Sequence, residues 1–561
     1  MNETASEVEY DVIVVGAGFG GLYGLHRVRE LGLSVAVLEA GLEVGGTWYW
    51  NRYPGARCDI QSLEYSYSFS DELQQEWQWS ERYAAQPEIE RYLNHVADRF
   101  DLRRDIQFGK RVDSAQYNEP AARWQIHCED GTTYSARYCM MAVGGYSTPV
   151  KPTIDGVDDF AGEIFHTALW PAHEVSFDGK RVGVIGTGSS GMQVTTAVGT
   201  KPVEHLYVFQ RTPNFCVPAR NGPMDPDFEA SYKHEYASHR AAARESSFGT
   251  EFPVGTKKTL ELTEEEFEEQ MRIAWEYGGP AVLSAFPDFI VDEAANERVA
   301  EYLRRRIRER VDDPKVAELL CPKTHYVGAR RLLVEDGFLE TFNEPNVTLV
   351  DVASAPIVKI TPSSVVTADR EYELDTLILA TGFDSGWGAM VRIDPTGRGG
   401  ASLRDHWAAG PRTLLGLMTS RFPNMFILYG PGSPGIRSQG ALMAELQVDW
   451  IVDAIRFAES NGVKALEPGD AAETAWTAHV ADVAASTLHV RNDTQYVGAN
   501  IPGKPRVYAA YLGGVGHYRR VCASTAESRY EMFDQTANDG TTVVASPWEP
   551  PDRGSTKAGA L

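Results

Sequence analysis

The sequence holds no apolar run long enough to cross a membrane; VIVV at 12–15 is the length of one buried strand. It also lacks a basic surplus, with 53 Lys and Arg against 78 Asp and Glu and a formal charge of −25. Nucleic acid and anionic membrane both require a basic face, so neither is an expected partner. Phosphate cofactors remain open, because helix N-termini bind phosphate locally whatever the net charge. Cysteine is sparse. The six, at 58, 128, 139, 216, 321 and 522, form no CxxC and no pairing with histidine, so neither a metal site nor a redox pair is expected. Free buried thiols, and an acidic start (MNETASEVEY) that is no signal peptide, predict a reducing cytoplasm.

What is present is a globular composition, 43% hydrophobic and 23% charged, over 561 residues, which exceeds one ordinary domain. YDVIVV (10–15) enters the glycine turn GAGFGG, a helical stretch comes next, and LSVAVLEA (33–40) is a second apolar strand. That is a βαβ unit. The pattern repeats from KRVGVIGTGSSGMQVTTAV (180–198) to HLYVFQRT (205–212). The predicted class is therefore α/β, with two dinucleotide-binding, Rossmann-like domains. Residues 220–325 are rich in charge and helix formers and read as an inserted helical subdomain, whose RRRIRER stretch (304–310) reads as a solvated helix face. The first domain is expected over 1–148 and 385–540, the second over 149–219 and 326–384, and a disordered tail over 545–561.

The two turns differ in the strand end that completes each unit. Gly16, Gly18 and Gly21 allow the tight turn, the approach of a pyrophosphate and close helix packing. Glu39 ends the second strand, where a carboxylate accepts both ribose hydroxyls and repels a 2′-phosphate, so this site suits FAD or NAD(H). Gly186, Gly188 and Gly191 repeat the turn, but its second strand ends in Gln210, Arg211 and Thr212. An arginine and a hydroxyl suit a 2′-phosphate, hence NADP(H). A flavin with NADPH leaves disulfide reduction, dehydrogenation or oxygen activation, and the absent cysteine pair removes the first.

Two further stretches narrow the choice. FAGEIFHTALWP (160–171) presents Phe160, Gly162, His166, Trp170 and Pro171; GGTWYWNRYPGARCD (45–59) presents Gly45, Gly46, Trp48, Tyr53, Pro54, Gly55 and Asp59. With ATGFD (380–384), GPGSP (430–434) and ANIPGKPR (499–506), the chain resembles the type I Baeyer–Villiger flavin monooxygenases over about residues 8 to 535. The resemblance implies an NADPH- and O2-dependent conversion of ketones to esters or lactones through a flavin C4a-peroxide, with sulfoxidation as a side reaction. It places Arg331, in VGARRLL, in the catalytic role with Asp59 as partner. It implies cofactor contacts at Phe19, Gly20, Gly46, Thr47, Trp48, Arg57, Asp59, Tyr65, Val112, Thr187, Ser189, Ser190, Gln193, Arg330 and Gln495. Phe160, Gly162, His166 and Trp170 are expected on a linker coupling the two cofactor domains, and Gly435, Ile436 and Arg437 in a substrate-pocket loop.

The chain departs from its relatives at three places: Arg330 replaces a lysine, Gln495 a tryptophan and Arg437 an apolar residue. Arg437 either recruits a polar end of the substrate or turns to solvent. A monomer is expected by the same resemblance. An N- or S-hydroxylating flavin monooxygenase is the alternative enzyme, and an NADPH-binding redox sensor the alternative from another class.

Overall fold

The computed structural model describes residues 8–549, apart from the side chain of Ile436. Strand Val8–Val15 leads into helix Phe19–Glu30, and strand Val35–Glu39 returns parallel to it, Val12 facing Val35 and Val15 facing Leu38. Both strands are covered on both faces, which is why they read as apolar runs without alternation. The sheet runs Ile106–Phe108, Val35–Glu39, Val8–Val15, Thr133–Met141, Arg123–Cys128, Val112–Asn118. Met425–Ile427 pairs parallel with Thr133–Met141, so the sheet takes strands from chain segments almost 300 residues apart.

A second sheet, parallel throughout, has the order Val347–Asp351, His205–Gln210, Arg181–Ile185, Thr376–Leu379, Glu163–His166. Two chain crossings join the sheets and pair with each other. Pro149 bridges Phe383 in antiparallel sense, Val150 N donates to Gly382 O at 2.9 Å, and Asp384 N donates to Thr148 O at 2.9 Å.

The helices within 220–325 fall into two groups. Tyr236 and Ala243, on helix Tyr236–Glu245, belong to the buried cluster of the first sheet, and Arg240 donates to the carbonyls of Glu64 (2.7 Å) and Leu63 (3.1 Å). Helices Glu264–Tyr277 and Glu293–Arg308 instead bury Phe267, Met271, Val299 and Leu303 in a core of their own. The arginine-rich run is neutralised locally: Arg304 pairs with Glu297, Arg305 with Glu268, Arg306 with Glu309, Arg308 with Glu318 and Arg310 with Glu335.

The tail expectation needs correction at its start. Trp548 is buried, edge-on to Trp476 with ring centres 5.1 Å apart, because one tryptophan removes enough apolar surface from water to anchor a Pro-rich segment. Residues 550–561 lie outside the described residues. Among the described residues, no helix is long and apolar enough to cross a membrane.

Candidate active site

The first glycine turn is built for close approach. Gly16 has φ +105°, and a Cβ there would stand 2.6 Å from Ala142 O; a Cβ on Gly21 would fall 1.8 Å from Gly16 O. Gly46 (φ +53°) closes over Gly18, where a Cβ would come within 2.8 Å of the Gly18 Cα. The helix opening at Phe19 carries no acidic residue in its first turn and no side-chain cap. Its N–H groups and positive end are thus available to a pyrophosphate. Glu39 is buried, and its carboxylate accepts from Ala17 N and Gly41 N, each at 2.6 Å. Burial raises its pKa, with those two amides working against the rise. The carboxylate is held at the strand end that faces a ribose in such folds, so these residues fit FAD. Phe19 meets Tyr65 with ring centres 5.1 Å apart, and Trp48 Nε1 donates to Tyr65 Oη at 3.1 Å. Thr47 starts the short helix behind Gly46, and Val112 is buried where its strand begins.

The second turn copies the backbone and changes the charge. Gly186 has φ +109°, and a Cβ on Gly191 would lie 2.0 Å from Gly186 O. Gly188 precedes helix Ser189–Gly199, again without acid in the first turn, and Thr187 Oγ1 donates to Thr212 O at 3.4 Å. Arg211 is exposed and, among the described residues, forms no ion pair with a carboxylate. Burial and the neighbouring Arg211 lower the pKa of Arg330, whose Nε is buried without a hydrogen-bond partner. Two adjacent guanidinium groups lacking a counter-anion fit the 2′-phosphate of NADP(H).

The 45–59 segment ties the two units together. Tyr53 Oη donates to Gln193 Oε1 at 2.7 Å, Gln193 Nε2 donates to Arg57 O at 3.0 Å, and a Cβ on Gly55 would stand 2.5 Å from Gln193 O. The guanidinium of Arg57 is taken up by Glu81 and Tyr83 O, so this residue reaches the second unit through its carbonyl. FAGEIFHTALWP is not a free linker. Glu163–His166 is an edge strand, because its backbone groups find partners along Thr376–Leu379. Phe160 and Trp170 enter separate buried clusters of this second unit, and a Cβ on Gly162 would collide with Asp375 O at 2.4 Å. His166 reaches the paired crossings: its Nε2 lies 3.2 Å from both Val150 O and Thr381 Oγ1, while its Nδ1 accepts from Ala168 N at 3.1 Å.

Asp59, the last residue of that segment, meets Arg331 across 272 residues of chain. Nε and one terminal nitrogen of the guanidinium donate to the two carboxylate oxygens at 2.5 and 2.7 Å, a forked pair. Burial opposes the charge on Arg331, but the Asp59 carboxylate outweighs it and holds the pKa well above the ordinary arginine value. The pair lines a cleft with Ile60, Phe248, Thr250, Phe252, Leu332, Arg330, Arg437 and Tyr496. Arg437 lines the cleft and is half-buried there. Gly435, Ile436 and Arg437 form one 3-10 turn; the side chain of Ile436 lies outside the described residues. Among the described residues, no group of three or more His, Cys, Asp or Glu is arranged to hold a metal.

The forked Arg331–Asp59 pair is half-buried in the wall of this cleft, in a chain that carries one carboxylate-ended and one arginine-ended dinucleotide turn. A Baeyer–Villiger monooxygenase of Pseudooceanicola batsensis is 40% identical over 536 residues, 94% of this chain and 97% of its own length. The chain belongs to the Baeyer–Villiger monooxygenase family. A steroid monooxygenase structure bound to NADP superposes with TM-score 0.91 at 47% identity, covering 94% of this chain and 99% of that one. A phenazine N-monooxygenase of Lysobacter antibioticus is 40% identical over 94% of this chain and 97% of its own. The family profile for pyridine nucleotide-disulphide oxidoreductases matches residues 13–213. That match reflects the dinucleotide-binding architecture, since all six cysteines are free and buried.

Some cleft residues escaped sequence reasoning. Tyr496 lines the cleft, whereas its neighbour Gln495 is exposed on the same 3-10 turn. Tyr146 lies close enough to Arg331 to sense its charge, and burial pushes its phenol upward. Phe248, Thr250 and Phe252 come from the irregular stretch after helix Tyr236–Glu245, where no motif marks them.

Proposed function

We propose that Arg331, oriented by Asp59, is the catalytic cation of an NADPH- and O2-dependent oxidation in which a ketone, O2, NADPH and a proton give an ester or lactone, NADP+ and water. Bound FAD, reduced by NADPH, supplies the oxygen activation. In this reading FAD lies against the Gly16–Gly21 turn and Glu39, and NADP(H) against Gly186–Gly191, Arg211, Thr212 and Arg330. The two sheets, each with its flanking helices, are the two cofactor domains of a monomeric cytoplasmic enzyme.

The observation that carries the proposal is the forked Arg331–Asp59 pair in the wall of the cleft. Adding an oxygen nucleophile to a carbonyl places negative charge on the former carbonyl oxygen. A fixed guanidinium stabilises that charge without reorganising, and arginine stays protonated at any working pH. Asp59 fixes the fork and with it the direction in which the guanidinium presents its charge to the reacting oxygen. The hydrophobic side chains Phe248, Phe252 and Leu332 exclude water, which strengthens the electrostatic contact.

The test is a panel of linear, cyclic, aromatic and steroidal ketones, with product identified by mass spectrometry. Wild type should yield an ester or lactone containing one inserted oxygen. Arg331→Ala should retain flavin and lose product formation by about 100- to 1000-fold, the size seen when one fixed donor to an oxyanion is removed. Ester formation at the wild-type rate would remove Arg331 from the catalytic role. The similarity to a phenazine N-monooxygenase supports a second reading, N-oxidation of aromatic heterocycles; N-oxide without ester on the same panel would favour it.

A further inference from the structure

The cleft charge does not cancel. Three arginines, Arg330, Arg331 and Arg437, line it with one acid, Asp59, in a chain whose formal charge is −25. Asp59 is committed to Arg331, and Arg330 senses Arg211 at the place suited to a 2′-phosphate. Arg437 remains. Its partners are all neutral: one terminal nitrogen donates to Gly328 O at 3.2 Å, the other lies 3.5 Å from His489 Nε2, and the guanidinium carbon sits 5.0 Å from the Tyr496 ring centre. Burial and Arg437 together drive the pKa of His489 well below 6.5, so the imidazole is neutral and accepts without balancing the charge. Among the described residues, no carboxylate pairs with Arg437.

Arg437 is half-buried, and a partly desolvated cation left without a counter-ion carries a cost that a ligand anion relieves. Arg437 and Arg331 repel each other across the same cleft, so a molecule with a carbonyl at one and an anion at the other satisfies both. We infer that Arg437 anchors a carboxylate on the substrate, making oxo acids, ketones that carry a carboxylate, the preferred substrate class. The inference rests on the ketone-oxidising reading above and adds the charge of the substrate to it. Arg437 is thus a specificity-determining residue, with the fork of its guanidinium matched to a planar carboxylate.

The experiment compares a series of methyl-ketone carboxylates of increasing chain length, each beside its primary amide. It follows ester product and NADPH consumption with the flavin-loaded enzyme. For at least one chain length, kcat/KM should favour the acid over its amide by about 10- to 100-fold, the strength of a charge-assisted hydrogen-bond pair. Arg437→Leu should collapse that ratio toward one, mainly through KM for the acid, and Arg437→Lys should restore part of it. Flavin content and melting temperature measured beside each variant separate this from a folding defect. An acid-to-amide ratio near one at every chain length in wild type, or a ratio unchanged in Arg437→Leu, overturns the inference. So does a loss confined to the KM for NADPH, which would assign Arg437 to the cofactor. Ester from neutral ketones alone overturns this inference while leaving the reaction class intact; no ester from any ketone overturns both.

Discussion

At the end of the first βαβ unit stands Glu39, its carboxylate gripped by the amides of Ala17 and Gly41. At the matching place in the second unit stand Arg211 and Thr212, with Arg330 brought in from 119 residues further along. The glycines before them are nearly superimposable in role, Gly16 and Gly186 both at φ above +100° and Gly21 and Gly191 both pressed on a carbonyl. In the proposed assignment the turn backbone accepts a pyrophosphate whatever its owner, and the strand end decides which nucleotide is accepted. Glu39 comes ready-made from one strand, whereas the arginine-ended site needs two distant segments and is complete only in the folded chain.

The strongest way to break the comparison is at Glu39. Glu39→Ala removes an anion that would accept two ribose hydroxyls and leaves the Ala17 and Gly41 amides without a side-chain acceptor. Charge-assisted bonds contribute about 1.5–3 kcal/mol each, so flavin affinity should fall by about 100-fold or more. Flavin absorbance per mole of purified protein reads this directly, and NADP+ binding to the same variant, measured by calorimetry, should persist. A fully flavin-loaded Glu39→Ala protein would show that the carboxylate is structural.

A smaller effect is expected at Arg211. It is exposed, so screening by solvent weakens its contact, and Arg330 still supplies a second cation. Arg211→Ala should lower kcat/KM for NADPH by about 10- to 50-fold while leaving NADH unchanged, because only the former carries the 2′-phosphate. Equal losses with both nucleotides would move Arg211 out of phosphate recognition. The NADPH:NADH ratio sharpens the contrast between the two units without depending on the ketone chosen.

These local features were legible in the sequence for a physical reason. Glycine turns, strand ends and their charges depend on neighbours within one βαβ unit, so spacing alone locates Glu39 and Arg211. The Arg331–Asp59 pair spans 272 residues and was reached only through resemblance. Tyr496, Tyr146 and Phe248 were not reached at all, because nothing in their local stretches records which cleft they will face. Composition misled at the tail, where a Pro- and Gly-rich stretch hides Trp548, whose burial against Trp476 outweighs the poor propensity around it. Residues 226–245 look like part of a charged helical insertion, yet Tyr236 and Arg240 dock that pair of helices on the first unit. The face that docks carries Tyr236, Arg240 and Ala243, and a buried arginine at its centre breaks the apolar stripe that would have marked it.

The smallest expected effect tests whether the two units act as one machine. His166 holds the carbonyl of Val150 and the hydroxyl of Thr381, one from each crossing between the sheets, so it pins both hinge strands from the second sheet. His166→Gln keeps a polar side chain but not the ring geometry. It should slow turnover severalfold while flavin content and NADPH binding stay near wild type, since neither cofactor turn contains the residue. Burial lowers the pKa of His166, with the Val150 carbonyl partly opposing the shift. A histidine depressed in the folded state stabilises the fold above its unfolded pKa of about 6.5, and that contribution fades as the pH drops and protonation is forced on it. The melting temperature of wild type should therefore fall more steeply than that of His166→Gln between about pH 7 and about pH 5. Parallel curves with unchanged turnover would mean that the crossings hold their pairing without His166, and that the coupling of the two nucleotide units rests on other contacts, such as Tyr53–Gln193.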